Sequence, residues 1–141
     1  MLVRALALAT LPFALTACGV VDSFGPSSCD RSLDGNPYQP YVDGTVDTHG
    51  VFRSELPTGE LLDFPGGAHW KIAHHLGEEP MWWTFYLSFE RMGLEKEGGA
   101  YAQAAGNQAV LYDKDAANLF VVNDSCSDYF LRVVAGTDAP Q

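Results

Sequence analysis

Alternation of apolar and polar side chains is the clearest pattern in the chain, and residues 81–90, MWWTFYLSFE, show it best. Successive side chains of an extended strand point to opposite faces, so the odd-numbered positions form one wholly apolar face. The even-numbered positions combine Trp82 and Tyr86 with hydroxyl and acidic side chains. This pattern predicts a half-buried antiparallel strand whose core-facing residues are Met81, Trp83, Phe85, Leu87 and Phe89.

Further short segments are rich in aromatic and β-branched residues and are separated by Gly, Pro and Asp. No stretch of ten or more residues after position 20 has a helical period, and the charged run at 94–99, LEKEGG, is predicted to be a loop. We therefore expect an all-β fold, a small antiparallel β-sandwich of about seven strands. The remaining strand segments are GVFR at 50–53, ELLDF at 60–64, HWKIAHHL at 69–76, a hairpin at 109–122 and DYFLRVVA at 128–135.

The first nineteen residues, MLVRALALATLPFALTACG, have a different pattern. One positive charge, Arg4, precedes an apolar run of about a dozen residues, which is shorter than the ~20 residues of a membrane-spanning helix. The run ends in Leu15-Thr16-Ala17-Cys18, which resembles the lipobox of bacterial lipoproteins. The resemblance implies cleavage before Cys18 and lipidation of its sulfur, with fatty acids such as palmitate on the mature N-terminus.

The resemblance divides the chain into a signal peptide at 1–17, a lipidated N-terminus with a flexible tether at 18–28, and a β-sandwich domain at 29–141. The tether prediction agrees with the Gly, Pro and Ser content that follows Cys18. In bacterial lipoproteins the second mature residue influences sorting, and Gly19 favours the outer membrane over the inner one. We therefore expect a protein of the cell envelope, attached to the membrane through its N-terminal lipid.

Three cysteines leave an odd thiol in an exported protein. If Cys18 carries lipid, Cys29 and Cys126 remain as one pair in a compartment where disulfides persist. We therefore expect a Cys29–Cys126 disulfide that joins the start of the domain to its last strand. A cross-link between residues so far apart in sequence contributes about 4 to 5 kcal/mol in the chain-entropy model.

The charge of the chain excludes some classes of partner. Removal of residues 1–17 leaves seven basic and eighteen acidic side chains, a formal charge of −11. Nucleic-acid binding needs clustered Lys and Arg, and the sequence has no such cluster. An acidic protein surface is also repelled by anionic lipids, so membrane attachment is expected to come from the acyl chains.

Three histidines and two glutamates lie within residues 68–85, a density that raises the question of a metal or catalytic site. On a strand, His69 and His75 share one face about 20 Å apart, while His74 points to the other face with the apolar residues. Zinc needs its nitrogen ligands near 2.1 Å in a tetrahedral cluster, so a site would require His49 or distant carboxylates. We therefore expect no metal site, one partly buried histidine at the strand end, and the other histidines facing water.

The segment that follows, LGEEP at 76–80, predicts a turn, since Gly77 permits positive φ and Pro80 ends it. A strand ending in His and followed by LGEEP resembles the strand-turn-strand pattern of small β-sandwich modules in bacteriophage tail proteins. The resemblance implies a sandwich used for binding, and no binding residue is carried over from it.

Searches for catalytic motifs favour a protein that is not an enzyme. The sequence has no G-x-S-x-G, H-E-x-x-H or paired C-x-x-C motif. The segment at 113–124 superficially matches a calcium-binding loop, but Asn118 stands where glycine is needed and Asp124 where a bidentate glutamate is needed. A hairpin turn is the expectation there, with a calcium contact at its tip left open. No cofactor is predicted.

Trp82 and Tyr86 form the candidate binding surface, because exposed aromatic side chains flanked by hydroxyls suit stacking on a sugar or a partner protein. The competing interpretation is a second packing layer in which Trp82 is buried. The sequence thus favours a non-catalytic binding or structural module held at the membrane. Two alternatives remain open: an envelope metal-binding protein or hydrolase that uses His49, His69, His74 or His75, and a glycan-binding module.

Overall fold

The computed structural model describes residues 30–93 and 100–138, and within these ranges the chain is all-β. No helix in them is long and apolar enough to cross a membrane. The described residues form ten strands: Gln39–Tyr41 (β1), Thr45–Val46 (β2), Val51–Arg53 (β3), Leu62–Phe64 (β4), His69–Ala73 (β5), Trp82–Ser88 (β6), Ala102–Gln103 (β7), Val110–Lys114 (β8), Asn118–Val122 (β9) and Tyr129–Gly136 (β10).

The strands form two sheets. The first sheet has the order β1-β5-β9-β8, and the second has the order β2-β3-β10-β6-β7. Strand β10 is long enough for β3 to pair with its C-terminal half and β4 with its N-terminal half. All pairings are antiparallel except that of β1 with β5. This architecture confirms the predicted small β-sandwich.

The core lies between the sheets and follows the period-2 pattern of the strands. The first sheet contributes Ile72, Leu119 and Val121, and the second contributes Phe52 and Val133, all fully buried. The remaining members of this single apolar cluster are Tyr41, Leu62, Phe64, Ala68, Phe85, Leu87, Leu131 and Ala135.

Asn123 is fully buried where β9 ends and organises the adjoining loops. Its side-chain amide donates to the carbonyl oxygens of Phe64, Pro65 and Ser127 at 2.9–3.0 Å, and its Oδ1 accepts from the backbone and hydroxyl of Ser125. Because a buried amide is costly unless bonded, this network fixes residues 124–128 against the turn after β4.

All seven predicted strands are present, and the structure adds three: β1, β2 and β7. Each of these has only two or three residues, which is too short for a period-2 pattern to show in the sequence. The predicted loop at 94–99 lies outside the described residues.

The predicted core face of residues 81–89 is correct only in its centre. Phe85 and Leu87 are buried, but Met81 and Phe89 are 73% and 74% exposed. Both lie just beyond the ends of β6, where the opposite sheet no longer covers them. Trp83 is 37% exposed at the sandwich end, with the Lys114 ammonium 5.3 Å from its ring centroid.

Candidate functional site

The outer face of the second sheet carries an aromatic and charged surface, here called the tyrosine–arginine face and defined by Glu55, Trp82, Tyr86, Tyr101 and Arg132. Strand register builds it, because Arg132 of β10 lies opposite Tyr86 of β6, which in turn lies opposite Gln103 of β7. Alternation sends these side chains away from the core, since the neighbouring Leu131, Val133 and Leu87 point into it.

Arg132 is at the centre of this face. Its guanidinium carbon lies 5.9 Å from the ring centroid of Tyr86 and 5.3 Å from that of Tyr101. Its Nε lies 2.6 Å from Oε1 of Glu55, and the two charged side chains are 23% and 17% exposed. A planar guanidinium in contact with two rings and a carboxylate has little freedom to move, so the face is preorganised.

Trp82 has a different role. Its indole N–H donates to the carbonyl of Asp138, and its ring covers Gly136, the residue opposite it in β10. A Cβ at position 136 would lie 2.7 Å from the indole, so the ring packs directly on backbone. Trp82 and Tyr86 are both half-buried rather than exposed side by side, and the contacts of Arg132 shift the centre of the candidate surface to Tyr86, Tyr101 and Arg132.

Two further arginines lie on the same side of the sheet. Arg53 is 3.6 Å from Asp47, and Arg91 binds Asp63 at 2.7 Å while its guanidinium lies 5.0 Å from the ring centroid of Phe130. Each arginine has a carboxylate partner, so the face offers hydrogen-bond donors and acceptors and little net charge.

The histidines are dispersed. His74 is fully buried, accepts a hydrogen bond from Leu76 N–H at Nδ1 and donates from Nε2 to the carbonyl of Asp115 at 3.0 Å. His74 therefore has both ring nitrogens occupied by backbone partners, and it is completely rather than partly buried.

Two of the other three histidines also contact a backbone carbonyl through a ring nitrogen. His69, predicted to face water, is buried because Tyr38 packs on its ring and the carbonyl of Asn36 contacts Nδ1. His75 is exposed with φ +56° and contacts the carbonyl of Val42 through Nε2, and His49 lies in the turn that Asp47 caps. The described residues contain no group of three or more His, Cys, Asp or Glu that could hold a metal ion.

The segment that resembles a calcium-binding loop in sequence is a hairpin turn between β8 and β9. Oδ1 of Asp115 accepts from the backbone N–H groups of Ala117 and Asn118 at 2.7 Å, and these bonds lower the pKa of the Asp115 carboxyl. Asp47 has a lowered pKa for the same reason, because it accepts from the N–H groups of Val51 and His49. Both carboxylates thus stabilise turns.

Cys126 lies in the loop that Asn123 organises, in contact with Gly66. Arg31 donates to the carbonyl and side chain of Asp124 at 3.1 and 3.3 Å, and the Asp30 carbonyl lies against Gly67. The start of the described domain therefore runs beside the Cys126 loop. Cys18 and Cys29 lie outside the described residues.

Sequence reasoning missed Glu55, Tyr101 and Arg132. The outward position of Arg132 could have been deduced from the alternation in DYFLRVVA, but no local signal places Tyr101, which precedes a two-residue strand. Comparison with known proteins adds no candidate residue: no family model, curated protein or solved structure matches this chain.

Proposed function

We propose that this protein is a lipid-anchored, non-catalytic binding module of the cell envelope, and that a protein partner docks on the tyrosine–arginine face. The observation that carries the proposal is the preorganised Arg132, which contacts two tyrosine rings and Glu55 on the outer side of a sheet. Tyr and Arg are, with Trp, the residue types enriched at energetically important interface positions.

The membrane anchor is the acylated Cys18. Support comes from the lipobox-like residues 15–18 with the charged and apolar segments before them. Radiolabelled palmitate should be incorporated into the full-length protein and not into Cys18→Ser. Gly19 favours the outer membrane, so sucrose-gradient fractionation should place the labelled protein there. Palmitate label on the Cys18→Ser variant would contradict the anchor. So would recovery of the full-length protein in the soluble fraction with no label on either protein.

The Cys29–Cys126 disulfide belongs to the same proposal. Its support is that Asp30, the residue after Cys29, lies beside the turn that contacts Cys126, as bridged Cα atoms must be within about 7 Å. Non-reducing peptide mapping of the envelope-purified protein should yield one cross-linked peptide pair containing both cysteines. Recovery of both as free thiols would contradict it.

The limited accessibility of the aromatic ring faces favours a protein partner over a glycan. Sugar stacking needs an accessible ring face, whereas Trp82 covers Gly136 and Tyr86 lies beside the Arg132 guanidinium. Tyr101 is 41% exposed and Arg132 has further donors, which suits a flat contact with another protein.

Affinity purification of the tagged full-length protein from envelopes tests the docking face. Tyr101→Ala should lose a stoichiometric partner that the wild type retains. Tyr112→Ala removes a tyrosine that is 69% exposed in β8 of the other sheet and is the matched control, expected to keep the partner. Equal recovery of the partner in all three proteins would contradict docking on this face.

A further inference from the structure

An open cleft of about 350 Å³ lies at one end of the second sheet, next to Phe89. Its lining residues are two aspartates, a proline and four aromatic residues, and it is here called the aromatic–acidic cleft. We propose that this cleft binds the guanidinium group of an arginine side chain presented by the partner protein. The residues that carry the argument are Asp63, Phe89, Asp128, Tyr129 and Phe130.

A guanidinium is already bound at one edge of the cleft, by the lining residue Asp63. Arg91 places its NH2 nitrogen 2.7 and 3.0 Å from the two carboxylate oxygens of Asp63, and its Cζ lies 5.0 Å from the ring centroid of Phe130. A carboxylate beside an aromatic face is the combination that attracts a planar cation, because the ring face is electronegative. The protein thus displays, at the edge of the cleft, the recognition chemistry that we propose.

The rest of the cleft repeats these components. The rings of Phe89 and Tyr129 have centroids 5.3 Å apart at 47°, and Asp128 lines the same cleft. The backbone N–H of Gly66 donates to Oδ1 of Asp128 at 2.9 Å and fixes the carboxylate. None of the ion pairs within residues 30–93 and 100–138 uses Asp128.

The exposure of Phe89 adds a second argument. A phenylalanine that is 74% exposed at the rim of a cleft leaves apolar area in water that a stacked ligand would cover. The chain has a formal net charge of −10, which favours the approach of a cation over that of an anion. The exposed ring and the net charge therefore both suit a basic side chain.

The inference deepens the proposed function and rests on it, because Asp63 and Phe130 are on the same side of the sheet as the tyrosine–arginine face. The tests are nevertheless separable. Docking is measured by recovery of a partner from envelopes, whereas the cleft is tested with a small probe on the purified protein.

The probe is N-acetyl-arginine methylamide, added to the full-length protein in detergent with ¹⁵N-labelled phenylalanine and tyrosine. We expect saturable amide shifts at Phe89, Tyr129 and Phe130. The matched neutral probe, N-acetyl-citrulline methylamide, has nearly the same shape without the charge and should bind at least about fivefold more weakly.

Two variants locate the binding. Asp128→Asn keeps an acceptor for Gly66 N–H but removes the charge, and Phe89→Leu keeps apolar volume but removes the ring. Each should weaken arginine binding about fivefold. Asp113→Asn and Tyr112→Leu make the same chemical changes in β8 and should have no effect. The proposal is overturned by equal binding of citrulline, by no saturable shift up to about 50 mM, or by saturation with methyl β-glucoside but not with arginine.

Discussion

The hydroxyl of Tyr41, in β1 of the first sheet, donates a hydrogen bond to the backbone carbonyl of Ser54, which directly follows β3 of the second sheet. Both residues are buried. Ser54 is bound to β10 as well, because its N–H donates to the carbonyl of Val133 at 3.0 Å and its hydroxyl accepts from Val133 N–H at 2.8 Å. Tyr41 therefore joins the two sheets through a polar contact inside the core.

Tyr41→Phe removes this contact and leaves the ring in place. We expect a loss of about 1–2 kcal/mol in the free energy of unfolding, because a buried carbonyl loses its donor. Urea denaturation of the two proteins measures the difference. Tyr112→Phe, at an exposed position, is the control and should leave the midpoint unchanged. An unchanged midpoint in Tyr41→Phe would show that the bond contributes nothing to stability.

The pKa of the Tyr41 hydroxyl leads to a second prediction, a loss of stability at alkaline pH. Burial, with the negative charges of Asp43 and Glu55, raises its pKa from 10 to about 12. A group with a raised folded-state pKa contributes stability that is complete below the unfolded pKa and is lost as pH rises through the folded one. The wild type should therefore lose stability between about pH 10 and 12, and the loss should be smaller in Tyr41→Phe. Parallel stability curves over this range would contradict the assignment.

Gly136→Ala tests the packing of Trp82 on β10. The added methyl group would lie 2.7–2.8 Å from three indole atoms, so the ring must move and its hydrogen bond to the Asp138 carbonyl must break. We expect destabilisation of about 1–3 kcal/mol and a red-shifted tryptophan emission. In a Trp82→Ala background the same substitution should lower the free energy of unfolding by much less. Equal costs in the two backgrounds would show that the indole does not restrict position 136.

Arg132 and Arg53 offer a comparison between a shielded and an exposed ion pair. Arg132→Met removes the 2.6 Å contact with Glu55 and the stacking on two tyrosines, and should destabilise the fold by about 1–2 kcal/mol. Arg53→Met breaks a 3.6 Å pair whose side chains are more exposed, and should cost less than about 0.5 kcal/mol. Thermal unfolding of both variants measures the two losses of stability. A larger loss in Arg53→Met than in Arg132→Met would contradict the central position of Arg132.

The sequence predicts the strands wherever the period-2 pattern is strong. Leu119 and Val121 alternate with the outward Phe120, and Phe85 and Leu87 face the core as expected. The sequence pattern does not predict β1, because Gln39–Tyr41 contains a proline and is a strand only through its parallel pairing with Trp70–Ile72. Such pairings depend on tertiary structure, which a local pattern does not contain.

The candidate site was predictable only in part. Alternation identifies Tyr86 as outward-facing, but Glu55 and Tyr101 reach Arg132 only because β10 lies between β3 and β6 in the sheet. The burial of His69 has the same origin, since Tyr38 covers it from a segment 31 residues earlier. Strand order, rather than composition, brings these side chains together.

Site-specific photocrosslinking in living cells tests the central claim most directly, namely that a protein partner binds the anchored chain at the tyrosine–arginine face. A photoreactive phenylalanine derivative, which keeps an aromatic ring at the position, would replace Tyr101 in one strain and Tyr112, on the opposite sheet, in another. We predict one partner of constant mass crosslinked from position 101 and absent from position 112. Equal crosslinking from both positions, or none above background from position 101, would contradict the account.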